Sequence, residues 1–121
     1  MVGYFDKQVR SSNPYGLVYH GDEQEVDVPA LVSGDAVFPA VGSNVIRKNL
    51  IALLEQYGLP QTILIDASAM VSPKAQIGES TLIGPQAAVN SMSHIGRGVV
   101  INTGAIIEHE CTINDFSHVA P

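Results

Sequence analysis

The sequence predicts a two-part chain: a partial parallel α/β sheet over residues 1–66, then an all-β parallel β-helix of about three coils over 67–121. Two observations predict it. The second half repeats every six residues without a break. The first half carries one clear amphipathic helix between two short strand-like runs.

From Ala69 onward the chain divides into hexads. Their third position is Val71, Ile77, Ile83, Val89, Ile95, Ile101, Ile107, Ile113 and Val119, always Ile or Val. Their first position is Ala69, Ala75, Thr81, Ala87, Ser93, Val99, Ala105, Cys111 and Ser117, always small or β-branched. A beat of six means one short strand and one turn per repeat, and three repeats close one triangular coil. The aliphatic points inward, and the small residue two places earlier points inward beside it. An antiparallel sheet would alternate with period two and show no such beat. The position after the aliphatic is rich in Gly and Asn, which suit tight corners and left-handed backbone angles.

In the first half, Val2–Phe5 reads as a short strand ending at Asp6. Residues 10–35 are polar and dense in turn signals, with a short apolar piece at Gly16–Tyr19 that fits a strand or a packed loop. Ala36–Val41 is apolar and ends at Gly42-Ser43-Asn44. A helix follows over Val45–Tyr57, capped by Ser43 or Asn44, with Ile46, Leu50, Leu53, Leu54 and Tyr57 on its apolar face and Gly58 ending it. Thr62–Ile65 is a further strand leading into the coils, and strand–helix–strand order suggests part of a parallel α/β sheet. The Gly42 turn reads first as a capped helix start; its free amides are also a candidate phosphate site, which makes Gly42 a candidate substrate contact.

The composition narrows the function classes. With 45% hydrophobic and 15% charged residues the chain is globular. Its net charge is −6 and no basic run exceeds two residues, so nucleic acid is not an expected partner. No apolar run approaches the roughly 18 residues that would mark a membrane span. The start lacks the basic-then-apolar order of a secretory signal. The single Cys111 cannot form an internal disulfide, which fits a cytoplasmic protein, and it occupies a small inward position that predicts burial.

The chemistry-bearing stretch is E-H-E-C-T-I-N-D-F-S-H, Glu108–His118. Histidine titrates near neutral pH and can take a proton from an incoming nucleophile. A carboxylate beside it stabilises the imidazolium that forms. His109 and His118 are nine residues apart, half of an 18-residue coil, so the filled core separates them within one chain. They can meet only across a contact between two β-helices, so the spacing asks for an oligomer. His20 and His94 read as surface residues, and Glu108 as solvent-facing.

V-G-Y-F-D, F-P-A-V-G-S-N-V-I-R-K and above all I-N-T-G-A-I-I-E-H-E-C-T-I-N-D-F-S-H-V-A-P resemble the bacterial sugar O-/N-acyltransferase family. That family includes sialic-acid O-acetyltransferases and N-acetyltransferases of UDP-4-amino-sugars. The resemblance implies a partial Rossmann-like sheet followed by a left-handed β-helix. It implies acetyl-CoA as acyl donor and a UDP-amino-sugar or a sialic-acid-like molecule as acceptor. It implies no metal, and a homotrimer with sites between subunits. His109 would be the general base and Glu110 its partner. Asn102 and His118 would line the pocket near the acetyl group, and Asp6 and Lys7 would lie near the uridine. Against the family pattern, Asp66 stands where a histidine is frequent and Asn114 where a glycine is. The family's first strand and glycine loop, and its later coils, have no counterpart, so the chain is expected to be the middle of a longer enzyme. Two other readings compete: a non-catalytic β-helix oligomerisation or binding module, and a zinc enzyme of the γ-carbonic-anhydrase kind. The gaps of 15 and 9 residues between His94, His109 and His118 do not fit the latter's His-x4-His ligands.

Overall fold

The structure, a computed structural model, describes residues 3–121 and divides into two compact units, Met1–Asp35 and Ala36–Pro121. In the first, β1 (Gly3–Tyr4) runs parallel to β2 (Val18–Tyr19), and the Tyr4 and Tyr19 rings lie 5.4 Å apart. Val2 of the expected strand lies outside the described residues. A Cβ at Gly3 would stand 2.5 Å from the Val18 carbonyl oxygen, so only glycine lets the two strands approach. The region read as turns contains a short helix, α1 (Val28–Val32). Asp27 caps it by accepting from the Ala30 N–H, Pro29 sits in its first turn, and Val28 and Val32 are buried. Asp and Pro here signal a helix start rather than a loop, because the first turn has spare N–H groups that Asp can satisfy and Pro does not need.

In the second unit, α2 (Asn44–Gln56) is capped by Ser43, whose hydroxyl accepts from the Ile46 N–H. An isolated parallel bridge joins Val37 to Gln61 on either side of it. The buried face of α2 is Arg47, Ile51 and Leu54. Ile46 and Tyr57, expected on the apolar face, are 57% and 36% exposed. The helix is turned so that Arg47 reaches carbonyls of the coils and Ile51 covers Gly98, where a Cβ would lie 2.6 Å from the Ile51 Cδ1.

The coils follow as ten two-residue strands, β3 (Leu64–Ile65) through β12 (His118–Val119). They stack into three parallel ladders, β3-β6-β9-β12, β4-β7-β10 and β5-β8-β11. Partners in each ladder are 18 residues apart, as in Ile65↔Ile83, Ile83↔Ile101 and Ile101↔Val119. The hexad aliphatics fill the interior: Ile83, Val89, Ile95, Ile101 and Ile107 are all buried. Polar residues at the small inward position are satisfied by the backbone. Thr81 Oγ1 donates to the Gly96 carbonyl at 2.9 Å and accepts from the Val99 N–H, and Ser93 Oγ donates to the Asn90 carbonyl at 2.6 Å. Cys111, expected in the core, is exposed. Its hexad is the last on the β5-β8-β11 ladder among the described residues.

The glycines after the aliphatic serve a different purpose from the one the sequence suggests. Positive φ recurs every six residues, but at Ser80, Gln86, Met92, Gly98, Gly104, Glu110 and Phe116, the last position of seven successive hexads. Gly78, Gly84 and Gly96 do not adopt it. They are needed because the next coil passes too close: a Cβ at Gly78 would stand 2.5 Å from the Arg97 backbone N, and one at Gly96 2.7 Å from the Asp115 backbone N.

Candidate active site

His109 and Glu110 sit in the turn between β10 (Ile106–Ile107) and β11 (Thr112–Ile113). Their side chains are 72% and 64% exposed, and His109 Nδ1 lies 3.2 Å from Glu110 Oε2. Glu110 holds φ 59°, in the left-handed region, and its N–H donates to the Ser91 carbonyl of the coil beneath at 3.0 Å. This bond ties the turn that carries the pair to the coil beneath.

Asn102 follows β9 (Val100–Ile101), and His118 opens β12. The 18-residue stacking puts His118 beside Val100, and so brings its ring to Asn102: Asn102 Nδ2 and His118 Nε2 are 3.0 Å apart. The Thr103 N–H donates to Asn102 Oδ1 at 2.8 Å. The structure therefore assembles two pairs, His109–Glu110 and Asn102–His118. The pairs occupy different corners of the coil. Asn102 stands in the turn that enters β10, and His109 in the turn that leaves it. Both flank the ladder β4-β7-β10, whose outward row is Met70, Ala88 and Ile106. Met70 is 64% exposed and Ile106 62%. The matching row on β5-β8-β11 is Gln76, His94 and Thr112, which is polar.

Asp6 and Lys7 lie in the first unit, just past β1. The Asp6 carboxylate accepts from Arg10 Nε and from the Lys7 N–H, and the Arg10 bond above all holds its pKa below the usual carboxylate range. In the second unit, Gly42 offers its carbonyl to Arg47 Nη1 at 3.1 Å. His94 Nδ1 faces Gln76 Oε1 at 3.1 Å, away from either pair, and His20 packs against Phe5 with ring centroids 5.4 Å apart. Among the described residues, no three His, Cys, Asp or Glu side chains converge on a point that could hold a metal ion.

Sequence reasoning missed Arg47, which is 1% exposed and whose guanidinium bonds the carbonyls of Phe116 and Ser117, the two residues before His118. The coil partners of Arg47 lie 51 to 70 positions away, so no local pattern of the helix names them.

No family model matches the chain. Solved structures do. The acetyltransferase domain of PglB from Neisseria gonorrhoeae FA1090 matches with a TM-score of 0.78 and 28% identity over 98% of this chain and 58% of its own. Its complex with acetyl coenzyme A gives a TM-score of 0.82 and 27% identity. PerB from Caulobacter crescentus, in complex with CoA and GDP-perosamine, gives 0.79 and 31% over 86% of this chain and 50% of its own. The chain thus spans about half the length of the structures it matches. The solved structures that this chain resembles are bacterial sugar acetyltransferases of the hexapeptide-repeat β-helix type.

Proposed function

We propose that the chain is the transfer-site part of an acetyl-CoA-dependent acyltransferase acting on an amine or hydroxyl of a nucleotide sugar, assembled as a homotrimer. The observation that carries this reading is the placement of the two polar pairs on either edge of one exposed apolar ladder. When three copies turn the Met70–Ala88–Ile106 row toward a shared axis, the His109 corner of one copy meets the Asn102–His118 corner of the next. The site is completed by the contact that buries the row. The likeness to PglB with acetyl coenzyme A and to PerB with GDP-perosamine supports the choice of donor and acceptor class. The same reading carries a left-handed coil, a Rossmann-like first part that would include Asp6, Lys7 and Gly42 on the sugar-nucleotide side, and a cytoplasmic location.

In this mechanism Glu110 accepts from His109 Nδ1–H, which leaves the Nε2 lone pair free. Nε2 takes the proton of the acceptor amine or hydroxyl as its heteroatom bonds the acyl carbon. The carbon–sulfur bond breaks, and the proton passes from His109 to the departing thiolate, so charge and atoms balance. Glu110 keeps the imidazole oriented and stabilises its charged form.

Complementation tests the assembly. His109→Ala and His118→Ala proteins, each expected to keep at most about a tenth of wild-type activity, are mixed under conditions where subunits exchange. With random exchange, about one quarter of the interfaces pair an intact His109 with an intact His118, so about one quarter of wild-type thiol release returns. A mixture of exchanged trimers that stays inactive, beside an active wild type, refutes a site shared between copies.

A further inference from the structure

The two candidate site histidines differ in which ring nitrogen they leave free, and their neighbours decide it. At His109 the neighbour is a carboxylate, which accepts and does not donate, so the proton sits on Nδ1 and the outward Nε2 carries a lone pair. At His118 the neighbour is an amide, whose orientation matters. The Thr103 N–H can donate only to an oxygen, so it fixes Oδ1 of Asn102 on its own side and turns Nδ2 toward His118. An amide NH2 donates and does not accept. Nε2 of His118 therefore carries a lone pair, and the ring proton of the neutral imidazole stands on Nδ1.

We infer that Asn102, held by the Thr103 N–H, makes His118 a hydrogen-bond donor through Nδ1–H and withholds it from acting as a second base. One corner presents a proton acceptor and the other a proton donor. The inference rests on the function proposed above and divides its labour: His109 Nε2 receives the acceptor's proton, and His118 Nδ1–H faces an oxygen that gains charge. That oxygen is the acyl carbonyl, which becomes an oxyanion as the new bond forms and before carbon–sulfur cleavage. Asn102 is a positioning residue, since it acts through His118.

The test reads the proton directly. Protein labelled with 15N-histidine is studied by NMR at about pH 8, above the ordinary histidine range. Long-range 15N–1H correlations report which nitrogen is protonated, and loss of one spin system in His118→Asn assigns the residue. Nδ1–H is expected in the wild type. In Asn102→Asp the carboxylate accepts from Nε2–H, so the proton moves to Nε2 while the melting temperature holds. Loss of the outward donor lowers kcat by roughly ten- to a hundredfold, with the KM for the sugar nucleotide unchanged. His118→Asn keeps an N–H near the Nδ1 position and retains more activity than His118→Gln, whose amide reaches the Nε2 position instead. Nε2–H in the wild type overturns the inference, as does a fall in Asn102→Asp activity with no change of tautomer. The tautomer is read without turnover, so a wild type that transfers no acyl group would strike the functional reading alone.

Discussion

Replacing Arg47 by methionine should destabilise the second unit by about 3–5 kcal/mol, at the rate of roughly 1–3 kcal/mol for each buried carbonyl left without a donor. Arg47 is 1% exposed, and no carboxylate is among its partners. Its Nε donates to the Gly98 carbonyl at 2.7 Å, Nη1 to Val41 and Gly42 at 2.9 and 3.1 Å, and Nη2 to Asn44 Oδ1, Phe116 and Ser117 at 2.7, 3.2 and 3.2 Å. Water can replace the donor at the exposed Gly42 and Asn44. The three coil carbonyls, at Gly98, Phe116 and Ser117, lie deeper, and they set the scale. Part of the loss is offset because methionine avoids the cost of holding a charge away from water, a burial that also pushes the guanidinium's pKa down. Lysine at this position keeps the charge, but its three donors cannot span six acceptors, so Arg47→Lys should fall between the two. Urea denaturation followed by circular dichroism measures all three proteins. Arg47→Met within about 0.5 kcal/mol of the wild type would refute the reasoning, because it would mean that the carbonyls find other donors at no net cost.

Gly96→Ala should cost about 1–3 kcal/mol by prising adjacent coils apart, and an unchanged melting temperature would show that the coils yield there. Glu110→Gly removes a left-handed backbone cost of roughly 1 kcal/mol, largely offset by the freedom glycine loses on folding. Its stability should stay near wild type while transfer activity drops at least about tenfold, and equal activity would sink the orienting role of the carboxylate. Asp66 accepts from the Ser68 hydroxyl and N–H, and the hydroxyl bond above all holds its carboxyl below the usual 3.8. A depressed folded pKa gives stability that is present above the unfolded value and lost as pH falls through the folded one. The wild type should therefore lose stability more steeply than Asp66→Asn below about pH 4, and parallel curves from pH 5 to 2 would contradict this. Ile106→Glu places a charge on the exposed ladder through which the trimer is proposed to form, so light scattering should give a trimer for the wild type and a monomer for the variant, and a trimeric variant would contradict that packing.

The β-helix was legible because its periodicity is also its geometry. Once Ile or Val falls at the third position of every hexad, the inward row and the 18-residue stacking follow with no further information. Asn102 meeting His118, 16 residues on, is a consequence of that stacking. The function of the glycines was not legible, since a tight turn and a close neighbouring coil ask for the same residue. Arg47 was not singled out, because helical periodicity ranks residues by polarity alone. What buries it is a set of carbonyls up to 70 positions away, which no local pattern contains. The short helix α1 was hidden for the opposite reason: five residues are too few to show a period, and its cap and its proline also serve turns.

The 18-residue ladder gives each residue of the coils an angular address, set by its distance along the chain from any reference strand. Gaining or losing a whole coil leaves every address unchanged. Gaining or losing a single hexad leaves the local pattern intact and the interior still filled, yet turns everything downstream by one face of the triangle. If that hexad lies between the two residues, His118 leaves the β3-β6-β9-β12 ladder for a neighbouring one, and Asn102 loses its partner although neither residue has changed. Descendants of this sequence can drift in composition at most exposed positions, but in length they can step only by whole coils or by loops extruded at the corners. Phase, more than residue identity, is what natural selection must guard here.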